Sequence, residues 1–205
     1  MKLRLAKTCD IKYLASIHFE CSINQPGGFM HKLGNPFLWL YYKILLSEKK
    51  SIIIVAVDEN DYIHGFCSGT LAAEEHIKAL KNHKIILAIS LIPALIRKPS
   101  LYKEIIERND YLYAQNNFTR FGSQEGPRNE YWAWRPNSNK SLSVHLFKTW
   151  LNIVFDFGFN SVKGEVDSVN KPILLLHKLL GVKILEKLDL PDGRSRYFVE
   201  YVNPE

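Results

Sequence analysis

Residues 166–182 read Val166-Asp-Ser-Val-Asn170-Lys-Pro-Ile173-Leu-Leu-Leu-His177-Lys-Leu-Leu-Gly181-Val182 and carry the clearest structural signal in the sequence. It begins where an apolar strand ends, and Asn170 followed by Lys-Pro is typical of a helix start. The apolar run predicts a helix of about two and a half turns, which Gly181 ends before another strand. Asn170 and His177 are seven positions apart, so they share one face of this helix.

The chain around this stretch, from 129 to 202, predicts strands on both sides of two helices. Alternating or continuous apolar residues favour strands, and longer apolar periodicity favours a helix. A hairpin around Pro191-Asp-Gly193 closes the chain. The predicted elements are a strand Asn129–Arg135, a helix Ser138–Phe157, a strand Ser161–Val166, a helix Lys171–Leu180, and strands Val182–Leu190 and Arg194–Val202.

The first third of the chain predicts three strands and two helices. The Pro26-Gly-Gly28 segment interrupts the chain between the two helices, and Asp58-Glu-Asn-Asp61 predicts a hairpin turn. The predicted elements are a strand Lys2–Ala6, a helix from Thr8-Cys-Asp10 through Glu20, a helix Pro36–Leu46, and strands Ser51–Val57 and Tyr62–Gly69.

Residues 72–128 predict a helical insertion between the third and fourth strands. Its helices are expected at 73–82, at 85–97 with a kink at Pro93, and at 99–108. The range His76–Lys103 holds six Lys or Arg and no acid. Three roles stay open for it: a lid on an acceptor pocket, a dimer interface, or a face that contacts anionic lipid. Aromatic residues in Phe37–Tyr42 and the insertion are expected to be exposed, which makes a homodimer a reasonable expectation.

Composition limits the class of protein. The 205 residues are 46% apolar and predict one domain, 1–205. Three cysteines and no signal peptide predict a reducing, cytoplasmic location. The apolar run Ile85–Ile96 would give a helix of roughly 18 Å, too short to span a membrane. The net charge of +6 suits anionic partners, but no nucleic-acid-binding motif occurs, so nucleic acid is not expected.

This layout resembles the GNAT superfamily of acyl-CoA-dependent N-acyltransferases. Residues 129–202 carry most of the resemblance, and the hairpin with Ile63-x-Gly-Phe66 adds a weaker part; the insertion has no counterpart. The resemblance implies an α/β fold with a mixed, mostly antiparallel twisted sheet of about seven strands flanked by helices. It also implies acyl-CoA as cosubstrate and no metal.

In the GNAT family the coenzyme A pyrophosphate lies at a loop of Gln or Arg, two residues, Gly, one residue, and Gly or Ala. The best register here places Ser138, Ser141 and Ser143 on those positions, so serines replace the glycines. The alternative is a capped helix start that binds no ligand. The residues expected to bind the cosubstrate are Trp132, Ala133, Trp134, Arg135, Ser138, Asn139, Lys140, Ser141, Leu142, Ser143 and Asn170.

The same resemblance implies the catalytic residues. Seven positions after the helix-start Asn, the family has a Tyr that serves as general acid, and this chain has His177. The alternative for His177 is a solvent-facing side chain beside Lys178. Glu130 on the fourth strand is the candidate general base, while Glu165, Asp167 or a water molecule are alternatives.

The function that follows is transfer of an acyl group from acyl-CoA to an amine in a direct ternary complex. An amino sugar linked to dTDP or UDP, in a surface-polysaccharide pathway, is the preferred acceptor; an amino acid or antibiotic is the alternative. A GNAT-like module that binds coenzyme A without catalysis, or that contacts a membrane surface, is the second hypothesis. The missing glycines and the change of Tyr to His motivate it.

Overall fold

A seven-stranded sheet organises the chain. The structure, a computed structural model, describes residues 1–23, 29–113, 125–189 and 193–204. The strand order is β1-β2-β3-β4-β5-β7-β6, and every neighbouring pair is antiparallel except β4 with β5. The strands are β1 Lys2–Leu5, β2 Ser51–Val57, β3 Ile63–Thr70, β4 Arg128–Trp134, β5 Ser161–Asp167, β6 Lys183–Asp189 and β7 Ser195–Val202.

Helices cover both faces of the sheet. On one face α1 and α2 pack against the strands, and on the other face α7 and α8 do so. A left-handed φ of 84° at Gly34 breaks α2 near its start. The helices are α1 Ile11–Ile23, α2 Met30–Ser47, α3 Ala73–Asn82, α4 Lys84–Ser90, α5 Ile92–Arg97, α6 Leu101–Tyr113, α7 Ser143–Asp156 and α8 Lys171–Leu179.

Because both faces of the sheet are covered, its central strands are apolar on both sides. In β2, Ile53 and Val55 point toward α1 and α2, whereas Ile52 and Ile54 point toward α7. All four side chains are buried. The continuous Ile-Ile-Ile-Val run therefore encodes a central strand rather than an edge strand.

Trp150 of α7 joins the helix to the sheet. Its ring is fully buried, and its indole N–H donates a hydrogen bond of 3.0 Å to the Ile52 carbonyl. A Cβ at Gly69 would lie 2.2 Å from this ring and 2.4 Å from the Arg128 carbonyl oxygen. Position 69 therefore needs glycine for the tryptophan to reach the sheet.

The described part of the insertion forms four helices, α3 to α6. The helix is interrupted at Leu91, which separates α4 from α5. Pro93 lies in the first turn of α5, where the missing backbone N–H of proline costs little. Leu91, Ala94 and Leu101 pack with Leu33 of α2 in a separate small core. Among the described helices none is long and apolar enough to cross a membrane alone; α3 with the α4–α5 segment passes that test only as a pair bent by 67°.

The predicted mixed, mostly antiparallel sheet of seven strands and its helical insertion are confirmed. Three local predictions differ. The helix predicted from Ser138 begins at Ser143, and the helix predicted as kinked at Pro93 is two helices, α4 and α5. Tyr41 and Tyr42 are buried, so they do not belong to an exposed aromatic surface. The Pro26-Gly-Gly28 break, most of the 114–128 loop and Pro191-Asp192 lie outside the described residues.

Candidate active site

The two central parallel strands separate after one backbone contact. Arg128 of β4 pairs with Lys163 of β5, and the Lys163 amide donates a 3.1 Å hydrogen bond to the Pro127 carbonyl. Within the described chain no later residue of β4 pairs with β5. Each strand therefore presents unpaired backbone groups to a cleft that widens toward the carboxyl ends of both strands.

Two helices begin at the open end of this cleft. Carboxyl ends of parallel strands lie at the same edge of a sheet, so the segments that follow β4 and β5 are neighbours. β4 continues through residues 135–142 into α7, and β5 continues through 168–170 into α8. The amino ends of α7 and α8 therefore lie at one edge, where backbone amides favour anions.

The first turn of α7 offers amide donors. The Leu146 amide is the first to donate back into the helix, at 2.8 Å to the Leu142 carbonyl, and Ser143 N–H donates to Lys140 at 3.0 Å. The amides of Val144 and His145 have no backbone acceptor in the described structure. The Asn139 side chain accepts the Ser141 amide at 2.9 Å and holds the preceding loop. The helix start predicted to bind pyrophosphate thus has two available N–H groups.

Two of the residues predicted to bind the cosubstrate already have protein partners. The Arg135 guanidinium lies 2.6 Å from the Glu20 carboxylate of α1. The Ser138 hydroxyl lies 3.0 Å from Nδ1 of His64 in β3. Both contacts fix the course of the 135–142 loop, and their role toward a ligand stays a prediction.

The two tryptophans of β4 point toward α7 and α8 but have different surroundings. Trp134 is buried in the core on that face. Trp132 stacks on Phe147 with ring centroids 4.9 Å apart. The indole N–H of Trp132, like that of Trp134, is buried without an acceptor among the described residues. Because an unpaired buried donor is costly, this N–H is suited to an oxygen of a ligand in the cleft.

His177 is buried against these aromatic rings. It is 5% exposed, and its centroid lies 5.8 Å from Trp132 and 5.4 Å from Phe147. Nδ1 lies 2.6 Å from the Tyr201 hydroxyl of β7. The solvent-facing alternative for His177 is therefore wrong. Asn170 is at the N-cap of α8, as predicted, but its side chain makes no cap hydrogen bond.

The surroundings of His177 determine its protonation. Burial lowers the pKa of His177 to about 4, so the imidazole is neutral at pH 7. Burial also raises the pKa of the Tyr201 phenol, which therefore keeps its proton and is able to donate a hydrogen bond to Nδ1. In the tautomer in which Tyr201 is the donor, the proton of the neutral ring is on Nε2, which is then a hydrogen-bond donor itself.

Glu130 lies at a bulge in β4 and points away from His177. The register between β3 and β4 shifts there, because Ser68 pairs with Tyr131 and Gly69 with Asn129. The carboxylate bonds to Arg128, with Nη2–Oε1 at 2.5 Å. Burial alone would raise the pKa of Glu130, but Arg128 and His76 outweigh it and hold the pKa below its ordinary value. A charged, paired carboxylate is a weak base, and the role of Glu130 stays a prediction.

The alternative bases on β5 are also ion-paired. Arg196 of β7 lies 2.9 Å from the Glu165 carboxylate and 3.0 Å from the Asp167 carboxylate. The roles of Glu165, Asp167 and a water molecule as alternative bases therefore stay predictions.

Tyr201 and Phe147 are the site residues that sequence reasoning missed. Tyr201 is 24 positions from His177 and on another element, so no spacing rule joins the two. The only available signal was strand alternation, which places Tyr201 and Val199 on one face of β7, toward the apolar face of α7.

The buried His177 predicts a pH-dependent stability. Its folded pKa of about 4 lies below the unfolded value of about 6.5, so the unfolded chain binds more protons and stability falls as pH falls below 6.5. Between pH 7 and pH 5 this group should remove about 2 kcal/mol. Urea unfolding across this range should give a shallower pH dependence for His177→Phe than for the wild type. Tyr201→Phe leaves the imidazole buried and should keep most of the pH dependence of the unfolding free energy. The same pH dependence in the wild type and in His177→Phe would contradict a lowered pKa for His177.

Comparison with known proteins agrees with this architecture. No protein-family model and no curated protein sequence matches the chain. A GNAT-family acetyltransferase structure from Desulfovibrio desulfuricans aligns with a TM-score of 0.60 at 10% identity, over 98% of each chain. YncA from Salmonella typhimurium, solved with its cofactor acetyl-CoA, aligns with a TM-score of 0.58 at 12% identity, over 100% of this chain and 95% of the other.

A third structure extends the likeness. Aminoglycoside 6'-acetyltransferase type Ii aligns with a TM-score of 0.58 at 12% identity, over 100% of this chain and 99% of that one. These alignments span nearly the full length of both chains, and the separated parallel strands occupy the middle of the shared sheet. At such low identity the likeness concerns architecture: the chain has the GNAT fold.

Proposed function

We propose that this protein is an acyl-CoA-dependent N-acyltransferase that acts on a small amine. One observation carries the proposal: β4 and β5 separate toward an edge where α7 begins with available amides, and His177 lies beside the gap. The cleft combines an anion site, a strand with unpaired backbone groups and a neutral hydrogen-bond donor. These are the parts that a long thioester substrate with a pyrophosphate needs.

In this proposal, three parts of the cleft would each hold a different part of coenzyme A. The Val144 and His145 amides at the start of α7 would hold the pyrophosphate, with Lys140 supplying positive charge and Ser141 a hydroxyl. Serine in place of glycine leaves the backbone open here, because Ser141 is exposed. The backbone of Trp132, Ala133 and Trp134 would pair with the amides of pantetheine. Bound acyl-CoA would supply the activated thioester.

The residues of the chain would then divide the work of the transfer. Nε2–H of His177 would donate a hydrogen bond to the sulfur as negative charge develops on it. Tyr201 would keep His177 in the tautomer that has this donor. Trp132 and Phe147 would exclude water from the donor, which strengthens the hydrogen bond in the closed site. In this tautomer Nδ1 of His177 accepts from Tyr201 and Nε2 carries the proton, so neither ring nitrogen is free to attack the thioester, and transfer to the amine would be direct.

The acceptor is proposed at two levels of detail. GNAT-fold structures that align with this chain include acetyltransferases named for spermidine, aminoglycosides and phosphinothricin, so a small amine is the general expectation. An amino sugar linked to dTDP or UDP is our specific candidate. The net charge of +6 is compatible with two anionic substrates, a nucleotide sugar and coenzyme A.

Isothermal titration with coenzyme A and acetyl-CoA tests the proposal directly. We expect micromolar affinity for both, followed by release of free thiol when an amine acceptor is added. The acceptor panel would contain dTDP- and UDP-linked amino sugars, spermidine, an aminoglycoside and phosphinothricin. Lack of binding at millimolar coenzyme A would overturn the proposal. Binding with no thiol release from any acceptor would favour the non-catalytic module.

A further inference from the structure

The α4–α5 segment carries a row of exposed isoleucines. Ile85, Ile89, Ile92 and Ile96 follow one another at spacings of four, three and four, so they lie along one side of the segment. They are 71%, 57%, 50% and 76% exposed, and the neighbouring Ile86 is 49% exposed. We call these five side chains the isoleucine row.

The segment is apolar on its inner side as well. Leu91 and Ala94 point inward and are buried against Leu33 of α2 and Leu101 of α6. The inner side thus anchors α4 and α5 to the protein, while the isoleucine row has no covering element among the described residues. A single exposed isoleucine is ordinary, but five adjacent ones form a contiguous apolar patch, which is typical of an interaction surface.

Positive charge flanks the row. Lys84 precedes it and Arg97 follows it, both exposed and without an ion pair in the described structure. From His76 to Lys103 the chain has no acid. Two acids of α6 already have cationic partners: Glu104 lies 2.8 Å from Lys32, and Glu107 lies 3.9 Å from Lys103. An apolar strip with cations at both ends is complementary to lipid chains beneath anionic headgroups.

We propose that the isoleucine row binds the surface of an anionic membrane, with α4 and α5 lying in the plane of the interface. The two short helices together span roughly 20 Å, less than a hydrocarbon core of about 30 Å, so they suit a surface position. Lys84 and Arg97 would extend to the lipid phosphates. A second copy of the chain would be a poorer partner, because pairing two rows would bring these cations together.

Co-sedimentation with lipid vesicles tests this proposal on the full chain. Vesicles of phosphatidylcholine with roughly one-third phosphatidylglycerol should bind the protein at least about tenfold more strongly than phosphatidylcholine alone. Binding should weaken as salt rises toward 1 M, where the Debye length is about 3 Å. Equal binding to both vesicle types, or none to either, would overturn the proposal.

Two matched double variants locate the surface. The test variant, Ile89→Glu with Ile92→Glu, should reduce vesicle binding at least about tenfold. The control, Leu5→Glu with Leu185→Glu, adds the same charge at exposed positions on the sheet edges. It should lose far less vesicle binding. Circular dichroism would confirm that both variants fold. Equal losses in the two variants would contradict a specific surface. Sedimentation equilibrium without lipid measures the oligomeric state as a last test. If the wild type did not bind vesicles but formed a dimer that only Ile89→Glu with Ile92→Glu abolished, the isoleucine row would be assigned to contact with a second copy.

Discussion

His177→Phe should lower kcat for acyl transfer by about 10²–10³-fold, the usual contribution of one positioned hydrogen-bond donor to a charge that develops in the transition state. The replacement keeps an aromatic ring among Trp132, Phe147 and Tyr201, so the packing that surrounds residue 177 should persist. What it removes is the Nε2–H that the Tyr201 contact leaves available. Steady-state release of coenzyme A thiol, measured at saturating acetyl-CoA, would report the change.

Tyr201→Phe is the control that separates the donor from its orientation. It removes one hydroxyl and keeps His177 in place, so the tautomer is no longer selected. We expect a loss of about tenfold in kcat, the value of one ordinary hydrogen bond. Affinity for coenzyme A should be unchanged in both variants, because neither residue belongs to the pyrophosphate loop. Wild-type kcat in His177→Phe would remove His177 from the mechanism and leave the cleft as a binding site.

The lowered pKa of His177 also distinguishes this mechanism from one that uses an imidazolium. With a pKa of about 4, the ring is neutral throughout pH 6–8. It would therefore donate a hydrogen bond through Nε2–H, whereas an imidazolium would transfer its proton. Its titration should therefore produce no loss of kcat across that range. A fall in kcat below about pH 6.5 that disappears in His177→Phe would show instead that the His177 imidazole has an ordinary pKa.

Sequence patterns predicted the strands well because their signals are local. The Ile-Ile-Ile-Val run of β2 and the alternation in β5 are encoded within seven residues each, and both strands form where expected. The start of α7 was predicted five residues too early, since Ser138, Ser141 and Ser143 are all good caps. The structure uses Ser138 for a contact with His64 instead, and this long-range choice is invisible to a capping rule.

The candidate site was predicted in outline but not in its contacts. Asn170 and His177 were predicted from the resemblance to the GNAT family, yet the burial of His177 depends on β4, α7 and β7 together. Glu130 was expected to face the reaction, but the bulge at that position points its side chain toward Arg128 and the α2 face. A bulge depends on pairing between strands that are far apart in sequence, so composition and periodicity cannot locate it.

The start of α7 allows a prediction in which stability and binding change in opposite directions. Ser143→Asp places a carboxylate in the first turn of the helix, where the helix dipole favours negative charge by about 0.3–1 kcal/mol. The melting temperature should therefore stay level or rise. The same carboxylate would repel a pyrophosphate at the Val144 and His145 amides. Two like charges about 4 Å apart repel by about 4 kcal/mol at an effective dielectric constant of 20, and partial solvation reduces this.

We therefore expect Ser143→Asp to weaken coenzyme A binding by on the order of 100-fold, measured by isothermal titration beside a thermal melt. Ser161→Asp offers a control, since it adds the same charge at the start of β5, the end of the cleft opposite α7. Because Ser161 lies at the closed end, its variant should bind coenzyme A within a few-fold of the wild type. Unchanged affinity in Ser143→Asp would place the pyrophosphate elsewhere. Lost affinity with a lower melting temperature would mean that the helix start itself had been disrupted, so only loss of binding with retained stability identifies this turn as the anion site.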